Sequence, residues 1–198
     1  MSLYATVQDL RDRLSIGPAD TSRDSILTRV LTAASRAIDK RTNRVFSLDA
    51  TATARVYNPR GRIATTPDGQ VVLVDDIGDA ADLLVEVGSG SAWTPVTDYE
   101  SAPDNALVRG QAITGLLRPC LPWVFYPQQR IRVTARWGWP TVPDEIAEAA
   151  LIQAARLFKR KDSPEGVMGN SEWGVIRLSR IDPDVEALVG PYIRHGFA

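Results

Sequence analysis

The densest chemistry in this chain is Asp75, Asp76, Asp79 and Asp82, carboxylates crowded into one short stretch. Hard cations bind through such oxygen ligands, but the spacing differs from an EF-hand loop and no glutamate stands at its closing position. Aspartates grouped between two β-rich runs read as a solvated turn between strands. Gly88-Ser89-Gly90 hints at a phosphate loop, yet the third glycine, the Lys-Ser/Thr pair and a following helix are missing. With Ser91 it reads as a hairpin turn. Cys120 is the only cysteine and His195 the only histidine. A reactive thiol needs a base beside it and a lowered pKa. A Ser-His-Asp triad would also have to draw on His195. Cys120 therefore reads as an inert thiol, and no catalytic residue, metal site or cofactor is assigned.

The cations are more suggestive. Net charge is −1, so the chain as a whole lacks the basicity of a nucleic-acid binder. Arg29, Arg36 and Lys40 fall roughly in line on a helix because their spacing is seven and four. Lys159, Arg160 and Lys161 close a second helix, where cations suit the negative end of the dipole. Either group reads as a solvated face. Copied by symmetry around a ring, the same few charges become a substantial positive field that attracts a polyanion. Trp173 stands apart from the other tryptophans. It lies between Gly169 and Gly174 with few apolar neighbours, as a partner contact on an arm does. Val175, Ile176 and Leu178 beside it suit strand addition to another subunit.

The elements that hold these residues follow from period and punctuation. Thr6-Val7-Gln8-Asp9 resembles a capping box and predicts a helix to about Leu14, stopped by Gly17-Pro18. A second helix restarts near Asp24 and runs to about Arg41. Ile26, Leu27, Val30, Leu31, Ala34, Ala37 and Ile38 form its apolar face. Strands are predicted at Gln70–Val74, Leu83–Val87, Ala92–Val96 and Arg130–Trp137. In the last, Ile131, Val133, Ala135 and Trp137 face a core and the alternate residues face water. Trp123, Trp137 and Trp139 read as core or junction fillers. Pro143-Asp144-Glu145 opens a third long helix with Ile146, Ala150, Leu151, Ala154, Leu157 and Phe158 on its stripe. Its small residues suit packing on the Asp24–Arg41 helix. Asp182, Pro183 and Gly190 frame a short final helix. No apolar run is long enough to span a bilayer, and the N-terminus lacks the pattern of a signal peptide.

Four stretches carry a resemblance: TVQDLRDRL, AASRAIDKRTNRVF, VTARWGWPTVPDEIAEAALIQAARLFKRKDSPEGV and SRIDPDVEALVGPY. They resemble the head–tail connector (adaptor) proteins of tailed bacteriophages, prophages and gene-transfer agents. The resemblance covers roughly residues 1–48 and 130–192. It implies a non-enzymatic ring of twelvefold symmetry under the portal that extends the DNA channel and docks the next head-completion, stopper or tail protein. It also implies a C-terminal grip on the portal, here Trp173, Val175, Ile176, Leu178, Arg180, Tyr192 and Phe197. The channel candidates are then Arg29, Arg36, Lys40, Lys159, Arg160 and Lys161, in non-specific contact with packaged double-stranded DNA.

The sequence reading is thus an α+β chain. Residues 1–48 and 138–161 form a helical core, 49–137 an inserted small β module, and 162–198 an extended C-terminal arm with a short terminal helix. Its place is the virion's head–tail junction, after synthesis in the host cytoplasm, with no membrane partner. The alternatives are a stopper or tail-terminator protein of the same particle, a soluble metal-dependent enzyme using the Asp75–Asp82 loop, and a generic oligomeric binding module.

Overall fold

The computed structural model describes residues 3–17, 20–119, 121–123, 128–160, 167–168, 176–177 and 182–194. The chain divides into two compact units, a helical one holding Met1–Asn43 and Val142–Arg194 and a sheet unit holding Arg44–Thr141.

In the helical unit, α1 (Val7–Arg13) begins at the anticipated capping box. The Asp9 N–H donates to Thr6 Oγ1 at 3.1 Å and the Thr6 N–H returns a bond to Asp9 Oδ2 at 2.9 Å. α2 (Asp24–Thr42) buries Leu27, Leu31, Ala34, Ser35, Ile38 and Thr42, a stripe of i, i+4, i+7 spacing. Its two buried hydroxyls are satisfied one turn back, Ser35 on Leu31 O and Thr42 on Ile38 O, both at 2.9 Å. Asn43 ends it in the left-handed region, with φ 54°. Ala37, placed on the buried face by periodicity, is exposed instead. α3 (Asp144–Arg160) packs on α2 through Ile146, Ala149, Ala150, Ala154, Ala155 and Phe158. Four alanines let the helix backbones approach closely, while the two large residues supply most of the buried apolar area. Leu151 and Leu157 are only half-buried.

α4 (Pro183–Val189) starts as read from the sequence. Asp182 accepts from the Asp184 N–H and Pro183 sits in the first turn. Gly190 does not stop it with a left-handed residue; the chain tightens into a 3-10 turn over Gly190–Tyr192. Arg156–Asp182 at 3.0 Å and Arg41–Glu186 tie α4 to α3 and α2.

The sheet unit is antiparallel throughout. It contains β1 (Thr53–Tyr57), β2 (Ile63–Thr66), β3 (Gly69–Ser89), β4 (Ala92–Pro95), β5 (Glu100–Ala102), β6 (Ile113–Arg118) and β7 (Arg130–Trp137), in the order β1-β7-β3-β6-β5 with β2 and β4 also on β3. The predicted turn at Asp75–Asp82 is wrong. The two predicted strands are one strand, β3, whose first half pairs β2 and β6 and whose second half pairs β7 and β4. Register shifts between Leu73 and Leu84 bend it, and the bulges turn the aspartates out of a simple alternation. Gly78 sits at this bend because a Cβ there would lie 2.7 Å from the Trp139 carbonyl carbon.

The core joins Tyr57, Val72, Val74, Ile77, Val85, Ile113, Leu116, Trp123, Ile131, Val133, Ala135 and Trp137. Each buried tryptophan N–H has an acceptor: Trp123 on Gln70 O, Trp137 on Thr53 O, both at 2.8 Å. β7 alternates as predicted, but its second face is half-buried rather than wet. The Gly88–Ser91 hairpin is present, closed by the Ser89–Ala92 pair.

Residues 44–48 and 138–141, assigned to the helices on the sequence reading, cluster with the sheet. The reason is local. Phe46 packs on Trp139 with ring centroids 5.4 Å apart, and the Asp49 N–H donates to Trp137 O at 2.7 Å. Gly138 has φ 113°, and a Cβ on it would lie 2.1 Å from Ser47 O. The Trp-Gly-Trp corner thus needs its glycine so that the backbone at Ser47 can cross it.

Beyond α3, β8 (Val167–Met168) and β9 (Ile176–Arg177) form an antiparallel backbone pair within the chain.

Candidate assembly surfaces

The carboxylates that opened the metal question are held by arginines from elsewhere in the chain. Asp76 is buried at 6% exposure. Its Oδ1 accepts from Arg44 at 2.7 Å, its Oδ2 from the Trp139 indole N–H at 3.0 Å, and its carbonyl from the Gly138 N–H at 2.8 Å. Arg44 also lies over the Trp139 ring, 5.8 Å from its centroid. Asp75 accepts from Arg55 at 2.8 Å and from the Tyr57 hydroxyl at 3.1 Å. Burial, with Asp75 beside it, pushes the Tyr57 hydroxyl far above its ordinary value. Asp79 pairs with Arg136 at 2.7 Å, and the Ala81 N–H, followed by Arg136, holds its carboxyl below the usual range. Among the described residues no group of three or more His, Cys, Asp or Glu side chains is placed to hold a metal ion. Three of the four acids are therefore structural partners, which overturns the solvated-turn reading for them.

The same pairing covers the second face of β7. Arg132 grips Glu86 with two bonds of 2.6 and 2.7 Å and lies over Trp93 at 4.4 Å from its centroid. The Arg132 hydrogen bonds hold the Glu86 carboxyl below its ordinary range. Arg55 similarly lies 4.3 Å over Trp137. Arg44, Arg55, Arg62, Arg118, Arg132 and Arg136 of this unit are engaged in internal pairs or ring stacks, while Arg60 and Arg109 are exposed.

The helical unit differs. Arg29 and Lys40 on α2 and Lys159 and Arg160 at the end of α3 are exposed. Arg36 is not free. It pairs with Asp39 at 2.7 Å and lies over the Tyr4 ring at 5.6 Å. The Tyr4 hydroxyl donates to the same carboxylate, and burial raises the Asp39 pKa despite both partners. The i,i+3 spacing of Arg36 and Asp39 is the sequence signal for this pair. Lys161 lies outside the described residues.

Of the predicted partner contacts, Trp173, Val175, Leu178, Arg180 and Phe197 lie outside the described residues. Ile176 pairs through its backbone with Met168. Tyr192 is half-buried, and its hydroxyl donates to Glu145 at 3.0 Å. Burial, reinforced by Glu145, pushes its pKa up to about 12. Cys120 and His195 are also outside the described residues.

This fold recurs in gene transfer agent particles. A chain from the neck of an empty particle, computed with C6 symmetry, matches with a TM-score of 0.56 at 19% identity, over 98% of this chain and 91% of its own. A chain from the virion of a native particle matches with a TM-score of 0.56 at 19% identity, over 99% and 94%. No family model matches the sequence, and no curated protein does. At this identity the likeness is one of fold, and it spans both units.

Proposed function

We propose that this chain is a structural head–tail connector (adaptor) of a phage-like particle. In this reading it forms a ring attached below the portal, extends the DNA channel and docks the next head-completion or tail protein. The observation that carries the proposal is the whole-length fold match to a chain of a particle neck. Physical chemistry supports it. A ring needs two different complementary surfaces on each subunit, and a chain with a helical unit, a sheet unit and a segment between α3 and α4 has the material for both. A DNA conduit should hold its cargo weakly and without reading sequence. Scattered exposed cations such as Arg29, Lys40, Lys159 and Arg160 suit that better than a strongly basic fold. Arg36 leaves the set of channel candidates because its charge is met inside the chain.

The segment carrying Trp173, Val175, Ile176, Leu178 and Arg180 is the proposed grip on the portal or a neighbouring subunit, with Tyr192 and Phe197 beyond it. Electron microscopy of the purified chain mixed with its portal ring tests the reading. A collar of density below the portal is the expected result. Particles that join head and tail normally without this chain would refute it. Trp173→Ala should leave the isolated fold stable while weakening that binding.

A further inference from the structure

The sheet unit leaves one backbone edge open. β1 stands at the end of the strand order β1-β7-β3-β6-β5 and pairs only with β7. A bond two strands away shows which of its peptide groups face outward. The Val96 N–H donates to the Val85 carbonyl at 2.8 Å, so Val85 turns its polar groups toward β4 and away from β7. In an antiparallel ladder these groups alternate from one side of a strand to the other. Val133, opposite Val85, therefore turns its groups to β1 and meets Arg55 there. Ala54 and Val56 are left with N–H and C=O on the open side, and both residues are exposed. Among the described residues no hydrogen bond takes up these groups. The other edge strands are blunted. β2 stops at Pro67, β4 ends on Pro95, and β5 has three residues before Pro103. A proline or a very short strand keeps such an edge from pairing. β1 has five residues, no proline and no break in its register. Its one charge, Arg55, lies over Trp137 and is paired with Asp75 at 2.8 Å. Val56 is 56% exposed beside the open groups.

We propose that in the free protein β1 pairs antiparallel with β1 of a second copy, about a two-fold axis that sets Val56 opposite its own counterpart. This register is what selects a second copy over an unrelated strand. It brings the outward backbone groups of Val56 against the same groups of the other copy, and the two exposed valine side chains cover each other on one face. Arg55 then stands across from Tyr57 of the other copy. An axis moved one residue, to Arg55, would set two guanidiniums opposite each other, which destabilises a strand pair. The contact is isologous, with one patch serving both copies, so it closes at two. It is a separate surface from any head-to-tail ring contact. Its effect is to cover an edge that would otherwise template aggregation. This holds whether or not the chain is a connector.

The test is sedimentation of the full chain across a concentration series, with amide hydrogen exchange read along β1. The expected result is a monomer–dimer equilibrium in which exchange at Ala54 and Val56 slows as concentration rises. Exchange at Arg55 and Tyr57, which bond β7, should stay constant. Val56→Pro removes an N–H that faces the open side, a place where sheets accept proline, and should abolish the dimer. Val56→Lys sets two cations opposite each other and should do the same. Val108→Lys, at another exposed valine, should leave the dimer intact. A monomer at every concentration would overturn the pairing. So would a dimer that survives Val56→Lys, or exchange at Ala54 and Val56 that ignores concentration. Exchange there that slows only when an unrelated protein is added would assign the edge to a foreign strand, and would overturn self-pairing equally.

Discussion

Replacing Asp76 separates a structural carboxylate from a metal ligand. Its side chain accepts from Arg44 and from the Trp139 indole, and it is 6% exposed. Asp76→Ala leaves a buried indole N–H without that acceptor, at about 1–3 kcal/mol. It also leaves the Arg44 guanidinium, at 18% side-chain exposure, without its counter-charge. Breaking a buried ion pair costs about 3–5 kcal/mol. The two losses share one residue and do not add, so about 3–5 kcal/mol is the expected total. For a unit of this size that lowers the melting temperature by more than about 10 °C. Asp76→Asn should cost less, because it still offers one carbonyl oxygen. The assay is denaturant unfolding of the full chain followed by tryptophan fluorescence, with Arg44→Met and the double variant closing the cycle. A loss under about 1 kcal/mol in Asp76→Ala would refute this reasoning. A divalent cation that stabilises the wild type and not Asp76→Asn would refute it more deeply, by reviving the metal reading.

Gly138→Ala should destabilise the sheet unit by several kcal/mol, since φ 113° is strained for alanine and the new Cβ would meet Ser47 O at 2.1 Å; thermal melts of the two proteins decide it. Glu86 has a folded pKa below its ordinary 4.5, so the stability it lends is present above that value and disappears as pH falls through the lowered one. Arg132→Met should flatten this acid-side slope, and an identical pH–stability curve in the variant would count against the pair. Arg29→Glu with Lys40→Glu should preserve folding while impairing DNA retention or ejection. Arg36→Glu should instead destabilise the helical unit, because it places a third oxygen-rich group beside Asp39 and Tyr4; circular dichroism and infectivity together separate the two effects.

The helices were legible because their signals are local. The Thr6–Asp9 box, the stripe from Leu27 to Ile38, the acids opening α3 and the Asp182-Pro183 start each act within one or two turns. β7 was legible for the same reason, since alternation over eight residues fixes which side is buried. The tryptophan assignments followed from size, and the crossing of Ser47 over Gly138 explains why a glycine must separate two of them.

Tertiary structure alone decided the fate of the acids in β3. Asp75, Asp76 and Asp79 look like turn residues until Arg55, Arg44 and Arg136 arrive from distant parts of the chain to neutralise them. Sequence pattern counts charges along the chain, whereas burying a carboxylate depends on which cation folding brings within about 3 Å, and desolvation makes that partner decisive. The open edge of β1 was hidden for a related reason. Alternation marks which face of a strand is apolar, but only the order of strands in the sheet determines which edge is left unpaired.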